Sequence, residues 1–149
     1  MISLIDKEIL ILGGGDGGLL NELLKENPKF VTMIDIDQTV MKYCRIYLRG
    51  VCGNCLDSFE GTNYKIVVGD CVEQMKKLIE QNRSFDYVLN DLTEIPICDK
   101  YNKNIYIENI ENMWPFVKLI LELGLKLLRP NTGTYLNQVS NSNHITILL

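Results

Sequence analysis

Short, unbroken apolar runs alternate along the chain with segments whose apolar residues recur every three to four positions. The first pattern belongs to strands buried on both faces, the second to amphipathic helices. Ile9-Leu10-Ile11-Leu12 predicts a strand over about Glu8–Leu12, and a helix follows from near Gly17 to Glu26, where Asn27-Pro28 stops it. A second strand is expected over Phe30–Ile36. A second helix is expected over Gln38–Leu48, with Val40, Cys44, Tyr47 and Leu48 at helical spacing. Gly50–Gly61 reads as a loop with one helical turn at Cys55–Phe59. Tyr64–Val68 predicts a third strand, and Val72, Met75, Leu78 and Ile79 mark one face of a third helix. Phe85–Asn90 predicts a fourth strand. Leu92–Asn112 shows little periodicity and reads as a long connection, of a kind that is usually functional in a compact domain. Met113–Leu128 predicts a fourth helix with Pro115 in its first turn. Thr134–Val139 reads as a fifth strand after a turn at Pro130–Gly133, and Ser140–Leu149 begins polar and ends apolar.

This alternation predicts an α/β fold with a doubly wound parallel sheet in the order 3-2-1-4-5, because β-α-β crossovers are right-handed. The 149 residues are enough for one domain with its own core. The crevice of such a sheet lies outside the carboxyl ends of its strands, at the switch between the first and fourth.

Composition narrows the classes. Apolar residues make up 46% and charged residues 23%, the proportions of a globular domain. The apolar runs are too short for a membrane-spanning helix, and the N-terminus has no signal-peptide pattern, so the expected location is the cytoplasm. The net charge is −4 and no Lys/Arg cluster occurs, which argues against nucleic acid as a partner. Of five cysteines, Cys52 and Cys55 form a CxxC. The single histidine is His144, so a zinc site has no obvious ligand set and reduced structural thiols are the simpler reading.

The candidate chemistry sits at the ends of the predicted strands. Gly13-Gly14-Gly15-Asp16-Gly17-Gly18 joins the first strand to its helix, a strand–glycine turn–helix cradle of the kind that holds nucleotide-like ligands. Asp16 would repel a phosphate there but would suit a cationic or hydroxyl-rich ligand. Asp35 and Asp37 end the second strand, Asp70 the third and Asp91 the fourth. In a parallel sheet these ends share one edge, so the acids converge. Each also has a plain alternative as a helix N-cap, the preferred reading for Asp37. Asp35, 19 residues beyond Asp16, is placed to accept both hydroxyls of a ribose. Asp70 is either a cap or an acceptor for an adenine amino group. Asp91 ends an apolar strand, where an unpaired carboxylate is costly. Four such acids fit a ligand that carries adenosine and a positive charge. The fold by analogy would accommodate a methyltransferase.

The runs Leu10–Gly18, Val31–Gln38, Gly69-Asp70-Cys71 and Phe85–Ile97 resemble, in order and spacing, those of the aminopropyltransferase family. The Asn90-Asp91-Leu92-Thr93 run with Pro96 is similar to the spermine synthase type within it. The resemblance extends through Gly133-Thr134-Tyr135 and fades in Cys98–Glu111 and after Asn143. It implies a Rossmann-like domain of the class I methyltransferase type. It also implies transfer of an aminopropyl group from decarboxylated S-adenosylmethionine to spermidine, giving spermine and 5′-methylthioadenosine without metal or bound cofactor. By motif, Asp16 and Asp91 become the catalytic acids and Asp35 the ribose ligand. Asp70 takes the adenine-binding place, Gly13, Gly14, Gly15, Gly17 and Gly18 line the nucleoside site, to which Cys71 also belongs, and Leu92 and Thr93 flank the reacting centre. Asn90 either orients Asp91 or packs the strand end.

Two departures from the family accompany this. The ribose acid is usually Glu, and Asp35 is one methylene shorter, so a water or a loop shift is expected to complete its reach. Family members also carry an N-terminal domain that supplies polyamine contacts and much of a homodimer, and they continue past the fifth strand. The chain is therefore expected to be a catalytic core without those parts, monomeric rather than dimeric, with its fifth strand exposed as a sheet edge unless Ile145–Leu149 covers it. Alternatives are a small-molecule methyltransferase using S-adenosylmethionine and a nucleoside-binding module without turnover.

Overall fold

The computed structural model describes residues 3–92, 103–137 and 146–148. Eleven elements follow one another among the described residues: β1 (Glu8–Gly13), α1 (Gly18–Lys25), β2 (Phe30–Asp35), α2 (Gln38–Tyr47), α3 (Arg49–Cys52), β3 (Tyr64–Val68), α4 (Cys71–Glu80), β4 (Tyr87–Asp91), α5 (Lys103–Lys126), β5 (Thr134–Asn137) and β6 (Thr146–Leu148). The sheet order is β3-β2-β1-β4-β5-β6. The first five strands are parallel, in the predicted order, and β1 lies at the centre between β2 and β4.

Strand β1 explains the architecture. Its residues Ile9 to Leu12 are completely buried, and their side chains alternate between the two sheet faces. Ile9 and Ile11 join Val31, Met33, Leu20, Met41, Cys44 and Cys52 beneath α1, α2 and α3. Leu10 and Leu12 join Ile34, Met75, Val88, Ile120, Leu127 and Tyr135 beneath α4 and α5. Each such side chain contributes about 1.5–3 kcal/mol by leaving water. A central strand with both faces covered must be apolar throughout, as this one is.

Two expectations are corrected, and one left open is decided. The short helical turn is α3 at Arg49–Cys52, not Cys55–Phe59, which forms turns. Helix α5 begins at Lys103, so Pro115 lies inside it rather than in its first turn. Proline there has no N–H for the carbonyl four residues back and its ring crowds that carbonyl, while Met113, Val117 and Ile120 keep the helical period. The sheet also does not end at β5. Thr146–Leu148 pairs with it antiparallel, Leu136 opposite Ile147, and covers the edge.

At the amino end of the sheet, Asp86 is the one buried acid among the described residues, 5% exposed. It accepts from the Glu8 backbone N–H at 2.8 Å and faces Lys7 at 3.7 Å and Arg129 at 3.4 Å. Glu8 in turn pairs with Lys29 at 2.7 Å and Arg83 at 3.4 Å. This network ties four loops together at the end opposite the crevice.

Candidate functional site

The carboxyl ends of β1, β2, β3 and β4 meet at one edge. Strand β1 leaves the sheet through Gly13 and Gly14, with φ of 85° and 79°, which only glycine adopts cheaply. The Gly17 N–H closes the turn on the Gly14 carbonyl at 2.9 Å, and Gly17, at φ 76°, caps α1. Gly18 is the first helical residue, and its N–H donates to Asp16 Oδ1 at 2.8 Å. The Asp16 carboxylate thus stands exposed on the outer surface of the turn.

Close approach explains the remaining glycines. A β-carbon on Gly15 would lie 2.8 Å from Asp35 Oδ2, and one on Gly14 would lie 3.5 Å from Asp91 Oδ2. Carboxylates from β2 and β4 therefore flank the turn. A β-carbon on Gly17 would meet Leu56 Cγ at 2.8 Å and Cys52 Cβ at 2.9 Å, and one on Gly18 would meet Val51 Cγ1 at 2.9 Å. The segment around α3 is the floor under the turn. That support was not read from the sequence, because contacts of such separation leave no periodic signal.

The other predicted residues fall as follows. Asp35 ends β2, half-buried. Its Oδ1 accepts from the Asp37 N–H at 2.8 Å, and its carbonyl accepts from the Gly69 N–H at 2.9 Å, so β3 is tied to the same edge. Asp37 is a helix cap, accepting from the N–H groups of Thr39 and Val40. Asp70 is exposed and caps α4 through the Glu73 N–H at 3.0 Å. Cys71 opens α4 with a buried thiol, whose pKa burial pushes up. Asp91 is the last residue of β4, beside Gly13 in register. Leu92 is half-buried and packs on the α4–α5 side of the core. Thr93 and Cys98 lie outside the described residues.

Cys44, Cys52, Cys55 and Cys71 are free and buried. Cys55 Sγ lies 3.4 Å from the Gly17 carbonyl, and its pKa is pushed up to about 12, first by burial and then by Cys52. Among the described residues no cluster of His, Cys, Asp or Glu is arranged to hold a metal ion, and no helix is long and apolar enough to cross a membrane. A cleft of about 310 Å³ opens beside α2, lined by Met41, Lys42, Arg45, Leu56 and Phe59 among others, and contains none of the converging acids.

Chemically, this edge offers a glycine-rich turn whose one side chain is that of Asp16, flanked by further acids. It suits a nucleoside with a cationic arm better than a phosphate. The spermine/spermidine synthase domain model matches residues 3–123. The chain belongs to this family, the aminopropyltransferases. A polyamine aminopropyltransferase of Korarchaeum cryptofilum is 31% identical over 134 residues, which are 90% of this chain and 38% of that protein. One of Shigella boydii is 34% identical over 89 residues, 59% of this chain and 29% of that protein. The chain thus spans about a third of the length of these relatives. Among solved structures, the spermidine synthase of Thermotoga maritima superposes on 89% of this chain and 36% of its own, with a TM-score of 0.59 at 21% identity. A spermidine synthase in complex with the transition-state analogue AdoDATO gives a TM-score of 0.61 at 22% identity. These likenesses show the fold.

Proposed function

We propose that the chain performs aminopropyl transfer of the spermine synthase type, from decarboxylated S-adenosylmethionine to spermidine. The observation that carries this reading is the pair of carboxylates on the glycine turn, Asp35 over Gly15 and Asp91 beside Gly14. A turn so flanked disfavours phosphate and favours a ribose and a cation. Family membership and the names of the relatives, polyamine aminopropyltransferases and spermidine synthases, support the same class. The Asn90-Asp91-Leu92-Thr93 run supports the spermine type within it.

In this reading Asp35 accepts the ribose hydroxyls, Asp70 and Cys71 border the adenine, and Gly13 to Gly18 lie against the nucleoside. Leu92 and Thr93 flank the reacting carbon. The sulfonium makes its adjacent methylene electrophilic. The attacking amine nitrogen forms the new C–N bond as the C–S bond breaks, and the bonding pair returns to sulfur, leaving neutral methylthioadenosine. Alkylamines are protonated near neutral pH, so a free lone pair has to be generated. Asp91 accepts the amine proton and orients the nitrogen. Asp16 holds the cationic chain by charge-assisted hydrogen bonds. Fixing both reactants in line accounts for several kcal/mol of the acceleration, on the order of the effect of proximity elsewhere.

The test is incubation of the full chain with decarboxylated S-adenosylmethionine and either spermidine or putrescine, with products separated chromatographically. Spermine with methylthioadenosine is expected. Product from putrescine alone would reassign the acceptor, methylated amine from S-adenosylmethionine would replace the reaction, and calorimetric binding of methylthioadenosine without any product would leave a nucleoside-binding module.

A further inference from the structure

We infer that Asn90 is a positioning residue for Asp91, acting through the Asp91–Leu92 peptide. Side chains alternate along β4. Leu89 belongs to the core under α1–α3, and Val88 to the core under α4 and α5. Asn90 therefore shares the face of Val88, and Asp91 takes the opposite face, where its carboxylate approaches Gly14. Asn90 addresses the peptide between Asp91 and Leu92. Its Oδ1 accepts from the Leu92 N–H at 3.3 Å, spanning Asp91.

A partner on β5 holds the amide in that orientation. Asn90 and Asn137 are register partners, and Asn90 Nδ2 donates to Asn137 Oδ1 at 2.6 Å. Tyr135, 2% exposed, lies beside the same amide. One donor and the acceptor of the Asn90 carboxamide are thus committed, and turning the group over would break both bonds. From the other side, Gly13 leaves room for the Asp91 carbonyl: a β-carbon there would lie 2.3 Å from that oxygen and 3.2 Å from the Leu92 nitrogen. The Asp91–Leu92 peptide is clamped between Gly13 on β1 and the pair Asn90 on β4 and Asn137 on β5.

The link to turnover rests on the proposed reaction, while the clamp itself does not, and the test separates them. Hydrogen exchange of the Leu92 amide reads the clamp directly. In Asn90→Ala its protection is expected to fall about tenfold relative to that of Leu89, and kcat to fall about 10²-fold, as misplacement of a reacting group does. Methylthioadenosine affinity is expected to hold within about threefold, the signature of an effect on the reacting state alone. Asn90→Asp keeps an acceptor for Leu92 but loses the donor to Asn137, so Leu92 protection should recover in part while kcat stays below the wild-type value. Asn137→Ala, which removes the acceptor of Asn90 Nδ2, should show the same pattern in smaller steps should Asn90→Ala fail to fold. Unchanged Leu92 protection in the variants that fold overturns the inference, as does a loss of nucleoside affinity as large as the loss of kcat. A wild-type chain that forms no transfer product overturns the functional reading instead, and Leu92 exchange alone then decides the clamp.

Discussion

Gly13 and Asp91 are register partners on adjacent parallel strands, and the Asp91 carbonyl occupies the space a Gly13 side chain would need. Gly13→Ala meets two obstacles. Its φ of 85° costs an L-residue about 1–2 kcal/mol, and the methyl would stand against backbone that cannot rotate away. A destabilisation of about 3 kcal/mol or more is expected from strain and overpacking together, read as a lower urea midpoint. Gly50→Ala is the contrast. Gly50 lies in α3 with open space around its α-carbon, so alanine should stabilise by about 0.5–1 kcal/mol. Equal effects at the two sites would refute the packing argument.

In the proposed reaction the acids divide into those that reach a ligand and those that hold a helix, and substitution separates the two. Asp91→Asn should lower turnover about 10²- to 10⁴-fold, the usual range for a lost proton acceptor. Asp16→Asn should lower it about tenfold or more through a lost charge-assisted bond. Asp35→Ala should weaken methylthioadenosine binding by about 1.5–3 kcal/mol, the scale of hydrogen bonds to a charged group. Asp37→Ala should leave nucleoside binding intact and lower stability by about 0.5–2 kcal/mol, as loss of a cap does. Steady-state kinetics, calorimetry and urea titration of the four variants give the answer. A normal turnover in Asp91→Asn would remove it from the mechanism.

Much of this was legible because the signals are local. Ile9 to Leu12 could only be a doubly covered strand, and the glycines after it could only be a turn. The acids were legible as a group because parallel strands send their carboxyl ends to one edge. Asp37 was readable as a cap from its place before Gln38. What escaped depends on contacts distant in sequence or on one misleading residue. Pro115 marked a helix start that lies at Lys103. The floor of Cys52 and Leu56 under Gly17 joins segments that no period relates. For Asn90 the sequence left two roles open, and only its register with Asn137 shows where its amide points.

Asp86 illustrates an acid in a family motif that the crevice does not use. It lies at the amino end of β4, 5% exposed, with a backbone donor and two cations around it. Removing a partner from a buried charge cluster costs about 3–5 kcal/mol when the cluster is fully enclosed. Lys7 and Arg129 are over a third exposed, so a smaller loss of about 2–3 kcal/mol is expected for Asp86→Ala. Methylthioadenosine affinity, measured well below the unfolding midpoint, should stay at the wild-type value. A selective loss of affinity in a fully folded variant would move Asp86 from the scaffold to the site.

The thiol under the turn gives the stability a pH dependence on the alkaline side. Cys55 is raised to about 12 in the folded chain, first by burial, whereas an unfolded cysteine ionises near about 8.5. Burial also raises Cys44 and Cys71. A folded-state pKa above the unfolded one means that the folded chain keeps its proton while the unfolded chain releases one. The contribution is therefore complete below about pH 8.5 and is lost as pH rises from there towards 12. Urea midpoints taken at successive pH values from 7 to 10 should decline in the upper half of that range. The decline should be shallower in Cys55→Ala even though that variant starts lower, because a cavity changes the level of the curve and a titrating group changes its slope. In the same range Cys55 of the native chain should react with iodoacetamide only as fast as the floor of the glycine turn opens, and bound methylthioadenosine should slow that reaction further. Equal slopes for wild type and variant would show that the thiol is not held protonated by its place beneath Gly17.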